Sequence, residues 1–304
     1  MPYRALYRVG VVVPHLGRWW SGEVLAGLES VLHPAGCETV VYPVPDADTR
    51  AAFFERLPRR SHLLDAVVVV ALPLTDAEAA LVRSANVPVV TLGVKVRSLT
   101  GVFVDERRSA GLAVRHLLDL GHTRIGLVGG DPHEPHGFSA AGQRRGAYRY
   151  WLSERGLWPE AALDVPGYWT VRGGAIAAHR LMSLPEPPTA IFAMSDEMAF
   201  GVLRALEERG LRVPEDVSVC GFDDHPDAAT YALTTVRQPV HDCAARLAAV
   251  VVARIRRVRA TTRVEQLRPS LPEHLEHDLL QLVVRQTSGP MPARPLGQSL
   301  LALK

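Results

Sequence analysis

Two apolar runs in the second half of the chain end in side chains able to hold a small polar molecule. Ala190 to Met194 gives way to Ser195 and Asp196, and Val217 to Phe222 gives way to Asp223 and Asp224. Open α/β sheets bind ligands at the carboxyl ends of their strands, where a hydroxyl and carboxylates can exchange hydrogen bonds with a ligand. Ser195 is equally placed to cap the helix that follows and Asp223 to close a turn, and a strand-end residue can do both. Near the amino terminus, Trp19 and Trp20 follow another apolar run in HLGRWWSGEV. An indole face there offers apolar area to a sugar or base ring, or an anchor for packing.

The patterns that would carry catalysis are each incomplete. GFSAAG at Gly137 to Gly142 has one residue too many for a nucleophile elbow. No Gly-rich loop ends in Lys-Ser or Lys-Thr, and GLVGGD lacks the spacing of a dinucleotide fingerprint. His133, Glu134 and His136 in DPHEPHG form the one candidate metal cluster, but two prolines interrupt it and no further ligand lies nearby. A solvated loop is the expectation there, with no catalysis, cofactor or metal.

The residues above are set into a β/α alternation. Strands read at Arg8 to Val13, Glu38 to Tyr42, Ala66 to Ala71 and Pro88 to Leu92, with helical patterns at Gly22 to Leu32, Thr49 to Leu57 and Asp76 to Ser84. A second series follows: a helix from the Asp105 cap to Leu120, a strand Arg124 to Val128, and helices at Gly146 to Arg155 and Gly173 to Met182. The first strands of the series echo each other, RVGVVV at Arg8 against RIGLVG at Arg124. Strands apolar at consecutive positions are those covered by helices on both faces, so the fold class is α/β, with two doubly wound parallel-sheet lobes.

A 304-residue chain that is 47% hydrophobic and 22% charged can bury two cores. A net charge of +2 announces no nucleic-acid or membrane surface. Arg254, Arg256, Arg257, Arg259 and Arg263 sit at the end of an apolar helix, where cations are ordinary. Cys37, Cys220 and Cys243 are odd in number and lie in apolar patterns, which suits packed thiols in a reducing compartment. Neither a signal-peptide pattern nor a membrane-length apolar run is present, and a cytoplasmic location is expected.

From about Tyr7 to Gly289 the sequence resembles the effector-binding domain of the LacI/GalR family of transcription regulators. The resemblance is carried by GHTRIGLVGG at Gly121, AIFAMSDEMAFGVLRALEERGLRVPEDVSVCGFDD at Ala190, and LTTVRQP at Leu233. It implies two lobes of the type I periplasmic-binding-protein kind joined by three crossovers, near Val102 to Asp105, Leu233 to Val236 and Thr261 to Glu265. Residues 1–104 and 234–258 would form one lobe, 105–233 and 263–290 the other, and 291–304 a loose tail. The helix Asp242 to Val258 would return to the first lobe and the strand Leu279 to Val284 to the second. The family's helix-turn-helix headpiece has no counterpart here, since the first strand begins within about ten residues of Met1, through truncation or loss of the DNA reader.

The resemblance also assigns the ligand. It implies a small polar, carbohydrate-like effector held between the lobes, a homodimer, and operator DNA bound only through the headpiece. Trp20 and Ser21 fall on contact positions, Trp169 on a stacking position, Ser195 on a hydrogen-bonding position, and Asp223 on the carboxylate that takes ligand hydroxyls or amines. Where the family places an Arg on the helix after GHTRIGLVGG, alignment on Gly146 gives Gln143, with Arg144 and Arg145 shifted, and Gly93 stands where many relatives have Asp. Those departures favour a neutral effector. The alternatives are a solute-binding protein of the same fold and, behind it, a sugar-modifying enzyme.

Overall fold

A computed structural model describes residues 7–96, 99–134, 137, 139–260 and 280–293. The first elements in chain order are β1 (Tyr7–Val13), α1 (Trp19–Leu32), β2 (Cys37–Pro43), α2 (Ala47–Arg60), β3 (Ala66–Val70), α3 (Asp76–Ser84), β4 (Val89–Leu92) and β5 (Thr100–Val102). There follow α4 (Glu106–Asp119), β6 (Ile125–Gly129), α5 (Ser139–Ser153), β7 (Asp164–Pro166), α6 (Val171–Met182), β8 (Ala190–Ala193), α7 (Asp196–Glu208) and β9 (Ser218–Asp223). The last are β10 (Thr234–Arg237), α8 (Val240–Ala260) and β11 (Gln281–Val283). The described residues of 1–104, 134–139 and 239–276 form one compact unit, and those of 105–133, 140–238 and 277–304 another.

In the first unit, a parallel sheet runs in the order β2-β1-β3-β4-β5. Period-two alternation sends its valines to opposite faces. Val9, Val11, Val13, Val68 and Val70 join one core with α1 and α8, while Val12, Val67 and Val69 join another with Phe54, Leu57 and Val82 from α2 and α3. Helices α1 and α8 approach closely at Gly27, where a Cβ would strike the His241 carbonyl and the Ala244 methyl. Two capping boxes start α2 and α3, at Asp46 with Thr49 and at Thr75 with Glu78. A largely buried ion pair, Arg50 Nε to Glu78 Oε1 at 2.7 Å, ties α2 to α3.

The second unit's sheet, read from its far edge, is β7-β6-β8-β9-β10-β11. Its first five strands repeat the order of the first sheet, so β1 and β6, the two echoing strands of the sequence, hold equivalent places. The strand β11 pairs antiparallel with β10. The histidine of GHTRIGLVGG fastens this unit internally. Its buried ring meets Thr189 Oγ1 at 2.9 Å, Ser218 Oγ at 3.1 Å and the Gly289 carbonyl at 3.0 Å.

Several expected boundaries move. β10 pairs in register with β9, Thr234 opposite Cys220 and Arg237 opposite Asp223, so the chain leaves the second unit at Gln238 rather than at Leu233. Residues 134–139 group with the first unit, and α5 begins at Ser139 instead of Gly146. The antiparallel β11 departs from an all-parallel sheet. Met291 donates its amide to the Leu120 carbonyl at 3.0 Å, so the stretch expected as a loose tail is anchored at its start. The third expected crossover, Thr261 to Glu265, and residues 294–304 lie outside the described residues.

Candidate functional site

The switch point of the second sheet lies between β6 and β8, so its crevice opens at Gly129 and Gly130 on one side and Met194 and Ser195 on the other. A cluster of side chains converges there. Trp169 precedes α6, whose cap is Thr170, accepting from the Gly173 amide at 2.9 Å. Tyr168 and Trp169 both take left-handed backbone, φ 53° and 59°, strain of the kind held at binding sites. The result lays the indole, only 6% exposed, over Gly130, where any Cβ would fall within the ring. Asp223, at φ 123°, ends β9, and its Oδ1 accepts from Gln238 Nε2 at 2.8 Å.

Arg144 completes the cluster from α5. Its guanidinium lies 3.7 Å from the Phe222 ring centroid and 5.6 Å from that of Trp169. Nε donates to Glu106 Oε2 at 2.7 Å, and Nη1 donates to the Met194 carbonyl. Beside it, Asp196 accepts from the Thr235 hydroxyl at 2.6 Å and the His225 amide at 2.8 Å. Burial pushes the Asp196 carboxyl up to about 6, against these hydrogen bonds and with the repulsion of Asp224. Burial also raises Asp223 well above the usual carboxylate range; Arg144 opposes this, while Asp196, Glu106 and Glu197 reinforce it. Such carboxyls accept from a ligand hydroxyl when ionised and donate to one when protonated.

Trp169 and Asp223 are therefore neighbours of one cluster. Ser195 sits at the same strand end and caps α7, accepting from the Met198 amide at 3.3 Å, which matches its bland alternative and leaves its ligand role as an expectation. Gln143 keeps its ligand role as an expectation. It is exposed on α5, while Arg144 points into the unit. In the first unit, Trp20 is half-buried in the first turn of α1, with its ring edge 3.5 Å from where a Cβ on Gly93 would stand, and Ser21 is buried. A Cβ at 93 would make ordinary contact with that indole, and the left-handed backbone there, φ 82°, is what disfavours a side chain.

Arg144, Glu106 and Gln238 are members of this strand-end cluster that motif spacing did not single out. A signal for Arg144 was present: Ala140, Ala141, Ala147, Tyr148 and Leu152 make the buried stripe of α5, and position 144 falls on it. Starting the helix at Gly146 hid that period. Among the described residues no group of three or more His, Cys, Asp or Glu is arranged to hold a metal, and His136 of the loop cluster lies outside them. Cys37, Cys220 and Cys243 are buried thiols raised chiefly by burial, Cys243 to about 12. No helix among the described residues is long and apolar enough to cross a membrane.

Residues 114–273 match the family described as the periplasmic binding protein-like domain. The HTH-type transcriptional repressor ExuR of Bacillus subtilis (strain 168), so named, is 34% identical over 163 residues. Those residues are 52% of this chain and 48% of ExuR, so the chain spans about half the length of that relative. A solved structure described as a LacI-family transcriptional regulator from Sanguibacter keddieii DSM 10542 is 31% identical with a TM-score of 0.73, covering 93% of this chain and 99% of that one. Another, described as the transcriptional regulator CelR in complex with cellobiose, is 26% identical with a TM-score of 0.76, covering 95% of this chain and 86% of that one. These relatives are transcription regulators rather than enzymes. By that family match and these relatives, the chain belongs to the LacI family, as its periplasmic-binding-protein-like effector-binding domain.

Proposed function

We propose that this domain binds a small, uncharged, polyhydroxylated effector of carbohydrate type. The observation that carries the reading is the cluster at the second sheet's switch point, where a buried carboxyl, Asp223, and the amide of Gln238 lie with the Trp169 indole and a guanidinium already held by Glu106. Stacking on the indole supplies apolar burial, and Asp223 with Gln238 supplies orientation. By family position, Trp20 and Ser21 are proposed as effector contacts in the first unit and Ser195 in the second. The cellobiose of the CelR structure supports a sugar as the ligand class. In the regulator that contains this domain, a homodimer, effector binding shifts operator affinity through a DNA-binding headpiece, a coupling of about 1 to 3 kcal/mol.

A thermal-shift panel of mono- and disaccharides, polyols and nucleosides tests the ligand class. A true effector at about a hundred times its Kd stabilises the domain by roughly 2.7 kcal/mol. The reading fails if a panel member stabilises the parent and both Asp223→Ala and Trp169→Ala to the same extent. Sedimentation equilibrium at micromolar concentration tests the homodimer, and only monomer there would remove that part of the reading.

A further inference from the structure

We propose that Glu106 sets the charge class of the effector: by engaging Arg144 it turns the guanidinium facing the cluster into part of the wall, so that the site admits neutral ligands and rejects carboxylates of the same shape. The proposal rests on reading the strand-end cluster as the effector site.

Arg144 is the side chain in this cluster best suited to grip an anion, since a guanidinium offers a planar fork of donors. Its position is fixed from three sides. Nε is taken by Glu106 at 2.7 Å, Nη1 by the Met194 carbonyl, and one face by Phe222 at 3.7 Å. Both members of the ion pair are nearly buried, with side-chain exposures of 5% and 10%. Glu106 is the first residue of α4, where the helix dipole favours a carboxylate, and the turn beneath it is set by Asp105 accepting from the Arg108 amide at 2.9 Å. The carboxylate is thus presented by a rigid helix start rather than by a loop.

Other arginines nearby are also engaged. Arg145 pairs with Asp164 at 2.7 Å, and Arg237 and Arg285 both pair with Asp224, at 2.6 and 2.7 Å. With Asp223 in the same cluster, Arg144 stands between two carboxyls, Glu106 and Asp223. The raised Asp223 carboxyl is the expected response of a buried acid whose neighbouring cation is shared with a second carboxylate. An incoming carboxylate would lose its hydration and meet like charge, whereas a hydroxyl meets acceptors and the Gln238 amide.

The test compares glucose with glucuronate and galactose with galacturonate by isothermal titration on the parent, Glu106→Gln and Glu197→Gln. The Gln side chain keeps an oxygen for Arg144 Nε while removing the charge. Glu106→Gln is expected to bind at least one uronate at least about tenfold more tightly than the parent does, with little change for the neutral sugars. Glu197→Gln removes a charge that also acts on Asp223 while leaving the Arg144–Glu106 pair in place, and is expected to give no such gain. Uronate affinities of Glu106→Gln and parent that agree within about threefold, absence of binding in both included, overturn the proposal, as does an equal gain in Glu197→Gln. Should Glu106→Gln not fold, the parent alone decides: a uronate bound as tightly as its neutral sugar overturns the proposal, and a neutral sugar bound with its uronate excluded upholds it. A neutral sugar held equally by the parent and Asp223→Ala would instead sink the site reading, whatever Glu106 does.

Discussion

The two sheets share a strand order but end in different chemistry. In the first, the strand ends pass through Pro14, Ala71 and Gly93, with the Trp20 indole against Gly93. In the second, the corresponding ends carry Gly130, Ser195 and Asp223, with Trp169 and Arg144 packed among them. Both use positive-φ backbone at or just past a strand end, at Ala71 and Gly93 in one and at Asp223 and Asp224 in the other. One topology can thus supply either contour or polar recognition, and side chains at a few strand ends decide which. The first unit offers apolar area; the second offers charge and hydrogen bonds.

The sharpest way to break this contrast is to remove the buried Arg144–Glu106 ion pair at the second unit's strand ends. Arg144→Ala leaves Glu106 buried without its cation and is expected to cost the second unit about 3 to 5 kcal/mol of stability. Urea unfolding followed by hydrogen exchange should show that loss in α4, α5 and β8, with β1 and β3 still protected. Equal loss of protection in both sheets would show that the units do not differ in this respect.

The pH dependence comes next in size. The native Asp196 carboxyl, near 6, holds a proton that the unfolded chain releases at about the ordinary value of 3.8. Its contribution is therefore fully present below about pH 4 and is lost as pH rises through about 6, a fall of up to roughly 3 kcal/mol. Asp223 acts in the same direction. Chemical denaturation between pH 4 and 7 should give a shallower fall for Asp196→Asn than for the parent. An unchanged slope would mean that the carboxyl titrates normally.

For ligand affinity, Asp223→Ala is expected to cost about 1 to 3 kcal/mol of binding to whichever panel sugar stabilises the parent. Trp20→Ala should cost less, because it removes area without orphaning a polar group; titration calorimetry ranking the two the other way would reverse the division of labour. The smallest effect belongs to Ser195→Ala. Loss of its cap on α7 should lower stability by about 1 kcal/mol, read as a shift in the thermal midpoint. A lowered affinity at unchanged midpoint would mark Ser195 as a ligand contact instead.

The long apolar strands were legible in sequence because parallel strands buried on both faces leave consecutive Val, Ile and Leu, as at Val9 to Val13 and Ala66 to Val70. The three-residue edge strands β5 and β7 left no such run. The resemblance placed a crossover where β10 lies; Thr234 and Thr235 are polar and make no apolar run, and their burial depends on partners far along the chain, Ser288 for Thr234 and Asp196 for Thr235. Trp169 and Asp223 were found because strand ends and helix starts are local signals. Glu106 was not, because a first-turn Glu reads as dipole complement in any helix, and only the fold brings it to Arg144, thirty-eight residues away in sequence.

The position of α8 has a consequence for the chain as it leaves the ribosome. The face of β1, β3 and β4 lined by Val9, Val68 and Val90 is closed by Leu247, Val251 and Ile255, which are translated only after nearly all of the second unit. The second unit in turn waits for Gly289 to reach His122. At about 5 to 20 residues per second, the roughly 150 residues between β5 and the end of α8 leave that valine face uncovered for some ten to thirty seconds. In a nascent chain of this design the first sheet has all its strands early but waits for its covering helix, and the second waits for its last strand, so apolar surface stays open until both arrive.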